Sequence, residues 1–141
     1  MYKISRQTFL ILLLALAPAL CAGFLHPRRP AWGETPLAQG EVLVSTAKEW
    51  GDQVLWIDAR KQDLYEKEHI PGALLLNEDE WDDLLVKILP EWNPGRRVVV
   101  YCGGETCQPS HDVAERLRNQ VGWKEVYVLK GGWEAWQNQA K

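Results

Sequence analysis

The sequence predicts an α/β domain: a central, mostly parallel β-sheet of about five strands flanked by helices. Three observations carry the prediction. Short apolar runs without polar alternation, Val54-Leu-Trp-Ile57 and Val98-Val-Val-Tyr101 above all, read as strands covered on both faces. Stretches whose apolar residues recur at helical spacing separate them. The two patterns alternate along the chain at the interval of βα units, which implies parallel pairing through helical crossovers. Of 141 residues, the first two dozen or so are not globular. Roughly 105–110 remain, enough for one domain with one core.

Glu41-Val-Leu-Val44 is expected to form a short first strand. Thr46-Ala-Lys-Glu49 has the spacing of a capping box and should open a brief helix that Gly51 ends. Val54 to Ile57 is the second strand, stopping at Asp58-Ala-Arg60. Lys61 to Lys67 is polar around Leu64 and Tyr65 and suits one or two helical turns. Ile70-Pro-Gly-Ala73 is turn chemistry, followed by Leu74-Leu-Leu76 as a third strand. Between Glu78 and Leu89, Trp81, Leu84, Leu85, Ile88 and Leu89 lie at helical spacing, and acids crowd the first turns where the helix dipole favours them. Pro90 stops that helix. Asn93-Pro-Gly95 turns into a strand from Arg96 to Tyr101, and a helix runs from about Pro109 to Gln120. Val126-Tyr-Val-Leu129 is the last strand, and Gly131-Gly132 leads into a closing helix from Trp133 to Gln139.

Phe9 to Leu25 is a run of apolar or small residues without a charge, preceded by Lys3 and Arg6. Its length lies between a signal-peptide core and a spanning helix. Residues 1–25 are expected to be an uncleaved membrane anchor, with a cleaved signal as the alternative. Residues 26–40 then form a proline-rich linker and 41–141 the domain. Either way the domain crosses the cytoplasmic membrane: single-pass and held on its periplasmic side, or released to the periplasm. From Gly33 onward 12 Lys and Arg face 19 Asp and Glu, a balance of −7 (12 − 19). A nucleic-acid partner is not expected, since that needs a basic footprint. Most of the eight Trp are expected to be packing residues.

The chemistry concentrates in one loop. The run ending at Tyr101 delivers Cys102 to the carboxyl end of a strand, just before a helix, where open α/β sheets place their active sites. Loop amides and a helix amino end favour a thiolate there, exposed and nucleophilic, whereas an inert buried cysteine would merely end the strand.

Four blocks in order extend the reading: Ile57-Asp-Ala-Arg60 with Tyr65; His69-Ile-Pro-Gly-Ala73; Val98-Val-Val-Tyr-Cys102; and Val126-Tyr-Val-Leu-Lys-Gly-Gly-Trp-Glu-Ala-Trp136. Together they resemble a rhodanese-like domain from about Val42 to Trp136. The resemblance implies a sulfurtransferase or persulfide carrier: Cys102 accepts a sulfane sulfur and passes it to a thiol or other nucleophile. Its partners would be a small sulfur-containing substrate or thiol acceptor; the apolar segment adds the membrane, through residues 9–25. No cofactor is expected. Gly103 and Gly104 would let the loop curl through positive φ so that amides face the sulfur. Asp58 and Arg60 match residues that brace the loop region, and His69 orders the turn after it.

Departures qualify the match. Members that handle thiosulfate usually carry a cation after the cysteine, whereas this loop runs Gly103, Gly104, Glu105, Thr106, Cys107 and places an acid there. Thiosulfate is therefore expected to be a poor donor. Ser110 stands eight positions after Cys102 (110 − 102), where similar domains place a Ser after six, so the loop is about two residues longer. Glu68 replaces a common Gly. Cys107 is a possible resolving thiol, a partner in a protective disulfide, or an inert residue. Cys102, Cys107 and His111 lack a fourth ligand, and no metal site is expected. No loop Arg is present to grip phosphate, which excludes a phosphatase. The alternatives are a thiol–disulfide oxidoreductase using Cys102 and Cys107, or a non-catalytic binding module on the same fold.

Overall fold

The computed structural model describes residues 36–104 and 107–139. The apolar segment 9–25 lies outside the described residues, as do Glu105 and Thr106 of the loop. Among the described residues no helix is long and apolar enough to cross a membrane. A compact unit begins at Leu37, tied down by Ala38 N–H donating to the Glu41 carboxylate at 2.8 Å and Val128 N–H donating to the Gly40 carbonyl at 2.8 Å.

Five strands form one parallel sheet: β1 (Glu41–Val42), β2 (Val54–Asp58), β3 (Leu74–Leu75), β4 (Arg97–Tyr101) and β5 (Val126–Leu129), in the order β1-β5-β4-β2-β3. Five helices connect and cover them: α1 (Val44–Glu49), α2 (Gln62–Lys67), α3 (Trp81–Ile88), α4 (Gln108–Arg116) and α5 (Gly132–Gln139). This is the α/β architecture the sequence predicts.

Side chains alternate across the pleat, so each central strand feeds two cores. Leu55, Ile57, Val98, Val100 and Cys102 point to one face, where Trp81, Leu84 and Ile88 of α3 and Val113 and Ala114 of α4 cover them. Val54, Val99 and Tyr101 point to the other, against Val44 and Ala47 of α1, the Ile70–Ala73 turn, and Trp133 and Trp136 of α5. Burial on both sides explains the lack of polar alternation in β4. Each buried Val there contributes about 1.5–3 kcal/mol. Seven of the eight Trp pack in or against these two clusters; Trp32 lies outside the described residues.

The order of strands positions the site. β3 lies outside β2 on one side, and β5 lies outside β4 on the other. Connections leaving β2 and β4 therefore diverge, opening a crevice at their carboxyl ends. Asp58 closes β2 in register with Tyr101, and Cys102 follows at once. The topology alone thus brings residues 58–60 beside Cys102.

Several boundaries differ from expectation. β1 stops at Val42, because Leu43 turns out as the N-cap of α1 and Val44 enters the helix. Thr46 is then helix interior, so the expected capping box does not form; no side chain caps α1. α3 begins at Trp81 rather than Glu78, since Asn77 Oδ1 accepts the Glu80 N–H at 3.0 Å and holds the preceding residues in a turn. Pro90 falls within a short 3₁₀ turn, Leu89–Glu91, instead of ending α3 directly. After Arg116 the chain loosens into a π turn, Leu117–Val121, closed by Gly122 in the left-handed region.

Candidate active site

Cys102 leaves β4 with its carbonyl and side chain both fixed. The carbonyl accepts the Trp133 N–H at 2.7 Å, and the Gly103 carbonyl accepts the Glu134 N–H at 3.1 Å, so the first amides of α5 hold the loop's start. Gly132 makes that approach possible. Its φ is +52°, and a β-carbon there would collide with the Cys102 carbonyl oxygen and lie 3.2 Å from Gly104 N.

The sulfur is not exposed, contrary to the sequence expectation. Cys102 is 1% accessible and is bonded to Cys107 as a disulfide, with a Cα separation of 6.1 Å. Its Sγ lies 3.3 Å from Ser110 Oγ, and that hydroxyl donates to the Cys107 carbonyl at 3.0 Å. α4 thus covers the sulfur from one side, and Cys107, the N-cap of α4, covers it from the loop.

The expected use of Gly103 and Gly104 also needs correction. Neither adopts positive φ; the positive-φ glycines at the site are Gly131 and Gly132. Gly104 serves close packing instead, for a β-carbon there would sit 3.2 Å from Glu134 Oε2. The Glu134 carboxylate consequently lies against the loop. Sequence reasoning passed over Glu134, Gly132 and the contact of Ser110 with the sulfur. The glycine doublet ahead of Trp133 was the available signal.

Asp58 and Arg60 form a buried, bidentate pair. Arg60 Nε lies 3.0 Å from Asp58 Oδ1, its Nη2 lies 2.7 Å from Oδ2, and its backbone N–H donates to Oδ1 at 2.9 Å. Nη2 also donates to the Glu68 carbonyl at 2.7 Å. Burial works to lower the Arg60 pKa, but Asp58 outweighs it, and the guanidinium is held more firmly charged than usual. Its carbon lies 4.8 Å from the Trp133 ring centroid. Among the described residues neither Asp58 nor Arg60 hydrogen-bonds to Cys102. Their support passes through Trp133, whose amide grips the Cys102 carbonyl, and through the turn after Glu68.

That turn is built as expected. His69 stacks on Tyr65 with ring centroids 4.1 Å apart, and its Nδ1 lies 2.8 Å from the Tyr65 carbonyl. Tyr65 donates its hydroxyl to the Ala73 carbonyl at 2.8 Å. Tyr101 Oη accepts the Ile70 N–H at 3.0 Å. Burial, with Asp58 close by, drives the Tyr101 pKa far upward, so this phenol stays neutral and structural.

A family model described as a rhodanese-like domain matches residues 43–139. The chain belongs to the rhodanese-like domain family. Thiosulfate sulfurtransferase GlpE of Coxiella burnetii is 41% identical over 80 residues, covering 57% of this chain and 68% of that protein. The solution structure of the rhodanese-like domain of Alr3790 from Anabaena sp. is 26% identical with a TM-score of 0.54, covering 72% of this chain and 76% of that one. The BH2092 protein of Bacillus halodurans shares the fold at 23% identity and a TM-score of 0.59, covering 71% of this chain and 72% of that one. This rhodanese-like chain is accordingly an enzyme of the rhodanese-type sulfurtransferase class.

Proposed function

We propose that Cys102 carries sulfur as a persulfide. The observation behind this reading is the placement of Cys102 at the carboxyl end of β4, where the connections leaving β2 and β4 part, with its carbonyl held by α5 and Ser110 Oγ 3.3 Å from its sulfur. Reduction of the disulfide frees the thiol. Its thiolate attacks the sulfane sulfur of a donor; the new S–S bond forms on Cys102, and the donor's bond to that sulfur breaks with the electron pair leaving on the donor. An acceptor thiolate then attacks the outer sulfur and returns the pair to Cys102. The Ser110 hydroxyl can turn to donate to the anionic sulfur in the reduced form.

The reduced protein, treated with glutathione persulfide, should gain the mass of one sulfur on the peptide carrying Cys102. Alkylation of Cys102 followed against pH should show a thiolate below the ordinary cysteine range of about 8.5. An unshifted profile with no sulfur uptake would remove the reading. An uncharged organic trisulfide should outrun thiosulfate, because Glu134 lies on the loop and Glu105 sits within its sequence.

The disulfide favours a second reading, a thiol–disulfide oxidoreductase cycling Cys102 and Cys107. That activity would reduce or oxidise dithiol substrates in the absence of any sulfur donor. For the apolar segment 9–25 we propose export, as anchor or signal, to the outer side of the cytoplasmic membrane, where disulfides persist. A membrane-impermeant thiol reagent labelling the reduced chain in intact cells would support this; labelling only after lysis would overturn it.

A further inference from the structure

Cys107 has no part in the transfer just described, yet the fold delivers it to the nucleophile. The two cysteines are 5 residues apart, and their Cα atoms stand 6.1 Å from each other, within the span of about 4.4–6.8 Å that a disulfide allows. One hydroxyl serves both residues: Ser110 Oγ holds the Cys107 carbonyl at 3.0 Å and lies 3.3 Å from Cys102 Sγ. Cys107 also packs against the buried cluster that contains Cys102. Cys102 is 1% accessible in the joined form, so an external acceptor must come to a covered residue, whereas Cys107 is already there.

We propose that Cys107 is the first acceptor in the reaction: it resolves the Cys102 persulfide from within the chain, sulfur leaves as hydrosulfide, and a dithiol reductant resets the site. The inference rests on the persulfide reading of Cys102 and adds its product and its co-substrate. The Cys107 thiolate attacks the inner sulfur of the protonated persulfide. A bond forms between the two Sγ atoms, the bond from Cys102 Sγ to the outer sulfur breaks, and the electron pair departs on hydrosulfide. The sulfane sulfur is reduced while two cysteine thiols are oxidised to the disulfide. The fold sets this direction over expulsion of the Cys102 thiolate, because it brings the two cysteines to a Cα separation of 6.1 Å, where their Sγ atoms join. A dithiol then exchanges through a mixed disulfide, closes to its own disulfide and returns both thiols.

The test is a single turnover of the full-length chain. Reduced protein, freed of reductant, receives one equivalent of glutathione persulfide with no acceptor; released sulfide and the non-reduced mass are followed, with Cys102→Ser as the blank. The wild type should release sulfide equal to the protein present and lose the mass of two hydrogens, with the cysteines joined. Cys107→Ser and Cys107→Ala should instead retain one extra sulfur on Cys102 and release no sulfide above the blank. If the wild type keeps its extra sulfur as the variants do, or carries it on Cys107, the inference falls and the transfer reading stands. Failure of both the wild type and the Cys107 variants to take up sulfur would remove both.

Discussion

A single glycine shows how tightly the backbone at Cys102 is specified. Gly132 has φ +52°, and any β-carbon there would meet the Cys102 carbonyl oxygen. Gly72 has a comparable φ of +78° but nothing within 4 Å of a β-carbon. The pair therefore separates backbone strain from collision. Gly72→Ala should cost about 1 kcal/mol, the left-handed penalty alone. Gly132→Ala adds the clash and should cost about 3 kcal/mol, or displace α5 and slow sulfur uptake by Cys102. Urea unfolding of both variants measures the difference; equal costs would mean that α5 does not press on the loop. The same residue marks where sequence reasoning stopped. Val98 to Cys102 and the Gly131-Gly132 doublet were legible as motifs, but which glycines bend depends on contact between segments far apart in the chain. Positive φ was expected at Gly103 and Gly104, whereas at the site Gly131 and Gly132, in the turn from β5 to α5, adopt it. The burial of Cys102 was hidden for a similar reason, since its cover comes from Ser110 and Cys107 rather than from its neighbours in β4.

At the scale of elements, the strands that are buried on both faces were the most legible. β5 has the bounds its apolar run suggests, and β2 and β4 differ by one residue. Edges were harder, because a short edge strand is held by partners that periodicity does not record. β1 is such an edge. Its two residues pair with β5, and Glu41 adds side-chain ties to the Ala38 N–H at 2.8 Å and to Lys130 Nζ at 3.3 Å. Burial works to raise the Glu41 pKa, but the Ala38 amide and Lys130 outweigh it and hold the carboxyl below its ordinary value. The fold therefore prefers the charged form. The contribution is in force above the unfolded value of about 4.3 and is lost as pH falls through the lower, folded value. Glu41→Gln should destabilise by about 1 kcal/mol near neutral pH. Denaturation of wild type and variant at about pH 7 and about pH 3 should show that gap closing in acid; a gap of equal size at both would assign the loss to packing.

The whole molecule sets which donors reach the site. Net charge from Gly33 onward is −7 (12 − 19), and Arg60, stacked on the Trp133 that holds Cys102, is already neutralised by Asp58. The Glu134 carboxylate lies on the loop. A dianion such as thiosulfate therefore approaches against the field of the domain, whereas an uncharged donor does not feel it. Salt should separate the two. The screening length shrinks from about 30 Å at 0.01 M to about 10 Å at 0.1 M, shorter than the width of the domain. Over that range kcat/KM for thiosulfate should rise several-fold, while that for an uncharged organic trisulfide should stay flat. Glu134→Gln should raise the low-salt thiosulfate value and flatten its salt dependence, because the charge removed is the one pressed on the loop. A thiosulfate rate that falls with salt would reveal an attractive local field, and the acidic balance would then have no bearing on donor choice.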